Sequence, residues 1–278
     1  MSTLHGVIVS GSSTGIGAAT VTMLANRGFV AFAGVRSESD ADRLRAVHPN
    51  VRPIFLDVTD ETSIERAIRE AVASGVPLLG VISNAGIALG GPLERLPIDE
   101  LRRQFDVNVF GALAVVQAAL PHLPAPGGRV VFVGSISGRL AMPYLGPYSA
   151  SKFALRALAD ALRVELAPDG IAVALIEPGS VKTPIWRKGR ESRDRIAATL
   201  GTDARPHYYR ALERILKMTE SEERGGIPAE RVAEAILHAL TARRPRENYL
   251  IGSAKAGSVV AMLPSKIRNR ILRASQRL

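Results

Sequence analysis

The stretch GVIVSGSSTGIG, residues 6–17, runs from an apolar segment into a glycine-rich turn and then into a helical pattern. Its first part, GVIVS at 6–10, is continuously apolar rather than alternating, as expected of a strand covered on both faces. Gly11, Gly15 and Gly17 let the backbone turn tightly and come close to a ligand. A helix starting near Gly15 aims its free N–H groups at the same point, and Ser13, Thr14 and Ile16 belong to that turn. Such a nest suits a pyrophosphate. Glycine-rich turns also serve packing, and the spacing G-x-x-x-G-x-G departs from the common G-x-G-x-x-G fingerprint, so the turn alone leaves both readings open.

The same strand-then-helix rhythm continues along the chain. Strands are predicted at 6–10, 29–35, 51–57, 78–84, 129–135, 171–177 and 248–252, with helices near 16–27, 40–47, 60–73, 98–121, 148–167 and 228–242. This alternation predicts an α/β fold: a single-domain, Rossmann-type, doubly wound parallel sheet of about seven strands with helices on both faces. The polar stretch 182–227 breaks the rhythm. The reading is one domain over 1–255, with an insertion at about 184–226 and a basic C-terminal tail at 256–278.

Composition narrows the function classes. The 278 residues are 46% hydrophobic and contain no cysteine, which gives no basis for disulfides or a thiolate metal site. The histidines at 5, 48, 122, 207 and 238 show no ligand spacing, so no metal is expected. The chain meets its first strand almost at once and has no apolar run of spanning length, so a cytoplasmic protein without a signal peptide is expected. Of the net charge of +10, residues 243–278 hold +8, from nine Lys/Arg against the single acid Glu247. A nearly neutral body with a basic tail argues against a nucleic-acid partner.

The ends of the next strands are where a dinucleotide would be read. About twenty residues past the glycine turn, Val35 occupies the place where an acid would hold a free ribose 2′-hydroxyl, and Arg36 follows. A guanidinium can fork onto a 2′-phosphate, and Ser37 can add a hydroxyl, so NADP(H) is favoured with NAD(H) as the alternative. Arg36 as a solvated loop residue is the competing reading. Asp57 and Val58, at the third strand's end, suit an adenine amino group, although Asp57 also fits a helix cap. Asn84, Ala85 and Gly86 end the fourth strand, the small pair leaving room for adenosine and Asn84 bonding neighbouring strand ends.

YSASKFALRALADALRVEL, residues 148–166, opens a helix with a tyrosine and, four residues on, a lysine on the same face. The fifth strand delivers Ser135 thirteen residues earlier. Gly11/Gly15/Gly17, Asp57, Asn84-Ala85-Gly86, Asn108, Ser135, Tyr148-x-x-x-Lys152 and Pro178-Gly179, in this order over about residues 5–252, resemble the short-chain dehydrogenase/reductase family. EPGSVKTPIW and FDVNVFGAL look most like its branch acting on steroids, retinoids and similar lipophilic alcohols.

The resemblance implies that Tyr148 passes a proton to or from the substrate oxygen and that Ser135 bonds that oxygen. It implies that Lys152 holds the nicotinamide ribose and tunes Tyr148, and that Asn108 kinks its helix and holds a water linking Lys152 to solvent. Pro178, Gly179, Val181 and Thr183 would pass the nicotinamide, Thr183 also suiting a helix cap. An ammonium about 4 Å from the phenol oxygen would favour the phenolate by roughly 4 kcal/mol.

The expected function is therefore NADP(H)-dependent interconversion of a secondary alcohol and a ketone on a lipophilic small molecule. A catalytically silent cofactor-binding regulator and a membrane-associated adaptor are the alternatives. Trp186, His207, Tyr208, Tyr209, Leu212, Leu216 and Met218 suggest a lid that either lines an apolar pocket or caps the core. The tail, with Lys266, Arg268, Arg270, Arg273 and Arg277 beside Ile267, Ile271 and Leu272, reads as a solvated or partner-contacting helix or as a weak membrane-surface contact. The helices at 98–121 and 148–167 have alanine-rich outer positions, and the resemblance implies that they pair between subunits in a homodimer or homotetramer.

Overall fold

Each of the seven apolar runs becomes a strand, and all pair in parallel in the order β3-β2-β1-β4-β5-β6-β7. The strands are β1 (Gly6–Val9), β2 (Val30–Val35), β3 (Val51–Phe55), β4 (Leu78–Ser83), β5 (Arg129–Val133), β6 (Ala172–Pro178) and β7 (Asn248–Ile251). This is a computed structural model, and it describes residues 4–185, 208, 209, 213, 217 and 225–275. Side chains alternate across the sheet, so Ile8, Phe32, Val81 and Phe132 fill one core and Val7, Ala33, Ile82 and Val131 the other. The first core is closed by α3 (Glu61–Ala73), α5 (Gly111–Ala119) and α6 (Gly146–Glu165). The second is closed by α1 (Gly15–Asn26), α2 (Glu38–Arg45) and α7 (Ala229–Thr241). The chain reverses winding direction at β1, which lies between β2 and β4 and so opens a crevice at the carboxyl edge.

The helix expected over 98–121 is broken where the resemblance implied a kink at Asn108, and more extensively than a kink. It runs as α4 (Ile98–Phe105), a π turn at Asp106–Phe110, then α5 and a 3₁₀ turn at Leu120–His122. Two tertiary demands impose the break. A side chain at Gly111 would come within 2.4 Å of the Val58 carbonyl, and Asn108 must turn inward to reach Ile87. β3 also stops at Phe55, which leaves Asp57 in the loop rather than in the strand.

The tail forms α8 (Ala254–Met262) and α9 (Ser265–Ser275). The boundary expected at residue 256 falls inside α8, whose Ala254 is fully buried and whose Gly257 packs against Ile136. Of the lid, Trp186, His207, Leu212, Leu216 and Met218 lie outside the described residues. Tyr208 donates to the Glu94 carboxylate, and Tyr209 is exposed. Among the described residues no helix is long and apolar enough to cross a membrane.

Candidate active site

The glycine turn is shaped by close approach. Gly11 has φ +64°, and a side chain there would fall 2.7 Å from the Ala85 Cα. At Gly17 a Cβ would sit 2.2 Å from the Gly11 carbonyl, so the first turn of α1 can only close on the loop without one. The ends of β1 and β4 are laced by Ser10, whose Oγ accepts from the Asn84 and Ala85 amides at 3.0 Å each. Asn84 Nδ2 donates to the Ser10 and Gly11 carbonyls, also at 3.0 Å. The result is a rigid cradle in front of the α1 N-terminus.

A single cleft runs from this cradle to the far end of the edge. It is lined by Gly11, Ser13, Thr14, Gly15 and Ile16; by Arg36, Asp57 and Val58; by Asn84, Ala85 and Gly86; and by Ser135, Tyr148, Lys152, Pro178, Gly179, Val181 and Thr183. Gly17, Ser37 and Asn108 stand outside it. Gly17 shapes the turn from behind. Ser37 caps α2, accepting from the Asp40 amide at 3.3 Å and donating to its carboxylate at 2.8 Å, so its hydroxyl is engaged within its own helix. Arg36 is two-thirds exposed and lies 3.7 Å from Asp57. Burial raises the Asp57 pKa, but bonds from Thr59 and the charge of Arg36 outweigh it and hold the carboxyl below its ordinary value.

At the other end, Tyr148, Lys152 and Ser135 are all buried, at 7%, 5% and 8% exposure. Burial pushes the Tyr148 phenol above the ordinary tyrosine value, and a hydrogen bond with Ser135 works against that rise. Lys152 stands beside the phenol and is engaged by the backbone. The ammonium lies 5.8 Å from the ring centroid and donates to the Val133 carbonyl at 2.8 Å, while burial lowers its own pKa to about 8.

That depressed lysine carries a stability prediction. Lys152 binds fewer protons folded than unfolded between about pH 8 and the ordinary lysine value of 10.5, so its burial penalty is full below pH 8 and relieved as pH rises. Lys152→Met, melted without cofactor, is expected to gain most over the parent at pH 7 and to lose that advantage by pH 10. An advantage independent of pH would contradict a buried amine with a lowered pKa.

Asn108 was among the residues expected at the site, whereas Ser151, Gln104, Arg43, Arg139, Arg156 and Glu177, which support it, were not singled out from sequence. Asn108 holds Ile87 by both backbone groups at 2.9 Å and reaches Ser151 Oγ at 3.1 Å; Ser151 in turn donates to the Tyr148 carbonyl at 2.7 Å. Gln104, fully buried, accepts from the Leu89 amide at 2.8 Å and donates to the Ile87 carbonyl at 2.7 Å. Arg43 donates to the Ser13 carbonyl at the rim of the cradle. Buried Glu177 grips Arg139 through two bonds of 2.7 and 2.6 Å and stands 3.4 Å from Arg156. It thereby joins the turn after Ser135, the helix of Tyr148 and the strand entering Pro178-Gly179. Apart from the Ser151–Tyr148 bond within α6, these partners lie 15 to 43 residues apart and leave no local signal.

The short chain dehydrogenase family model matches residues 5–194. The chain belongs to the short-chain dehydrogenase family. An NADPH-dependent 3-dehydrocapnine reductase from Ornithobacterium rhinotracheale is 34% identical over 274 residues, covering 95% of this chain and 94% of the relative. Human retinol dehydrogenase 5 is 34% identical over 255 residues, covering 88% and 80%. A short chain dehydrogenase from Burkholderia cenocepacia, solved in complex with NADP, superposes with a TM-score of 0.74 at 25% identity, covering 98% of this chain and 99% of that one. As a short-chain dehydrogenase the chain is an oxidoreductase, and its Rossmann-type sheet is that family's fold.

Proposed function

We propose that this short-chain dehydrogenase is an NADP(H)-dependent enzyme that interconverts a secondary alcohol and a ketone on a lipophilic small molecule. The observation that carries the reading is the burial of Ser135, Tyr148 and Lys152 in the same cleft as the glycine cradle and Arg36. The cradle fits a dinucleotide: Gly11 and Gly17 leave no room for side chains where the α1 N-terminus points outward. Arg36, with Val35 in place of an acid, fits a 2′-phosphate, with Arg43 close by at the Ser13 carbonyl. The NADPH dependence named for the Ornithobacterium relative and the NADP in the Burkholderia structure support the same choice.

Bound there, the dinucleotide supplies or accepts a hydride at its nicotinamide ring. Pro178, Gly179, Val181 and Thr183 would hold that ring, and Lys152 the adjoining ribose. In reduction, Tyr148 gives its phenolic proton to the ketone oxygen, so the new substrate O–H bond forms as the phenol O–H breaks. Ser135 donates to the same oxygen and stabilises the charge that develops on it. A phenol whose pKa is raised by burial keeps its proton at neutral pH, so Tyr148 is available as the acid for reduction. Asn108 positions Tyr148 through Ser151 and supports Ile87, which lines the cleft.

Ile87, Val107, Pro184 and Ile185 add apolar surface to the cleft, and the kinship with a retinol dehydrogenase agrees with a lipophilic substrate. A homodimer or homotetramer would pair through the outer face of α6. Phe153, Ala157, Ala161 and Val164 form an exposed stripe there, with exposed Phe110 on the neighbouring π turn.

Arg36→Ala tests the cofactor choice. Loss of a charge-assisted contact to the 2′-phosphate should raise the NADPH Kd by about tenfold or more while leaving that of NADH within about twofold, read by cofactor fluorescence. Equal effects on the two cofactors would remove Arg36 from 2′-phosphate recognition and favour NAD(H).

A further inference from the structure

We infer that the outward face of the two C-terminal helices, α8 and α9, docks on an anionic lipid bilayer. Residues 248–278 contain six Lys/Arg and no acidic residue. On α8, Lys255, Val259 and Met262 recur at i, i+4 and i+7, so they share one face, while Ala254 and Ser258 turn inward and are buried. Val259 and Met262 are 63% and 79% exposed. On α9, Ile267 and Ile271 are exposed one turn apart, and Lys266, Arg270 and Arg273 form a parallel exposed stripe beside them. Arg268 has a different task, donating to the Ala261 carbonyl at 3.3 Å and holding α9 onto α8.

The pattern selects one occupant. A nucleic acid would use the cations but leave Val259, Met262, Ile267 and Ile271 in water. A second copy packed symmetrically would bring each cation stripe against its own image. An anionic bilayer satisfies both features, with the ammonium and guanidinium groups at the level of the headgroups and the apolar side chains at the acyl boundary. The contact is peripheral, since no described helix can span. α8 is also fixed to the catalytic body. Gly257 lies against Ile136, next to Ser135, and Ser253, immediately before α8, covers Gly179. The docked face is thus held close to the substrate end of the cleft. The inference rests on this face alone, independent of the substrate.

Flotation of the full chain with vesicles tests it. At low salt the protein should float with phosphatidylcholine vesicles containing phosphatidylserine, stay behind with phosphatidylcholine alone, and be released by added salt. Replacing Lys266, Arg270 and Arg273 by Ala should weaken binding by roughly a hundredfold, at about fivefold per cation. Ile267→Ser with Ile271→Ser should weaken it by about tenfold or more. Both variants change only exposed side chains, so the parent's melting temperature and its turnover of a water-soluble ketone should persist. Absence of binding to the anionic vesicles would overturn the inference. Binding that depends on the cations but not on the isoleucines would overturn it in favour of a general polyanion surface. Concentration-dependent self-association abolished by the isoleucine pair would overturn it in favour of a second copy.

Discussion

Tyr148→Phe is expected to lower kcat for ketone reduction by about a thousandfold while leaving the NADPH Kd within about twofold. The change removes one oxygen from a ring that is 7% exposed and keeps the ring's shape, so the fold should survive it. The oxygen lost is the one that bonds Ser135 and faces the cleft. Ser135 cannot take over, because a serine hydroxyl is a far weaker acid than a phenol. The pH dependence has a defined sign. Reduction needs the protonated phenol, so in the parent it should be fully present below the Tyr148 pKa and be lost as pH rises through it. Paired measurements of kcat and cofactor fluorescence separate the outcomes. Retained turnover would remove Tyr148 as the acid, whereas lost NADPH affinity would make it chiefly a cofactor ligand.

The largest effect on stability is expected at Glu177. Its side chain is 1% exposed and neutralises Arg139, itself only 15% exposed, with Arg156 alongside. A buried ion pair is weak evidence of net stabilisation, but removing one partner strands the other in a low-dielectric interior. Glu177→Leu should cost about 3–5 kcal/mol in denaturant unfolding. Adding Arg139→Met should restore a large part of the loss, because the stranded charge goes with it. Since this triad ties the Ser135 turn to α6 and to Pro178-Gly179, Glu177→Gln, which keeps the side chain's shape, should lower kcat more than it raises KM. A Glu177→Leu variant within about 1 kcal/mol of the parent would show that the three segments are held by packing alone.

These two residues also mark what could be read from sequence. Tyr148 was legible because its partner Lys152 lies four residues on in the same helix, and helical geometry alone puts both on one face. The sheet was legible because strands buried on both faces must be apolar throughout, and the β1 glycine turn because close backbone approach admits only glycine. Glu177 was not legible. Its partners lie 38 and 21 residues away, on elements brought together only by the crossovers around β5 and β6. The π turn lies at the kink that the resemblance implied at Asn108, but the partners that impose it, Ile87, Ser151 and Val58, lie far along the chain and left no local signal. The surroundings of Lys152 were legible only in part. Spacing brought the ammonium close to the tyrosine, but only the three-dimensional site shows it turned to the Val133 carbonyl and depressed by burial.

Isotope transfer tests the central claim most directly. With NADPH carrying deuterium at both positions of nicotinamide C4, reduction of steroid or retinoid carbonyl compounds should give an alcohol labelled at the carbinol carbon. In heavy water with ordinary NADPH, that carbon should carry no label, the solvent proton arriving only on oxygen by way of Tyr148. Carbon-bound label drawn from solvent, or no cofactor-dependent product from any lipophilic carbonyl compound, would contradict the account.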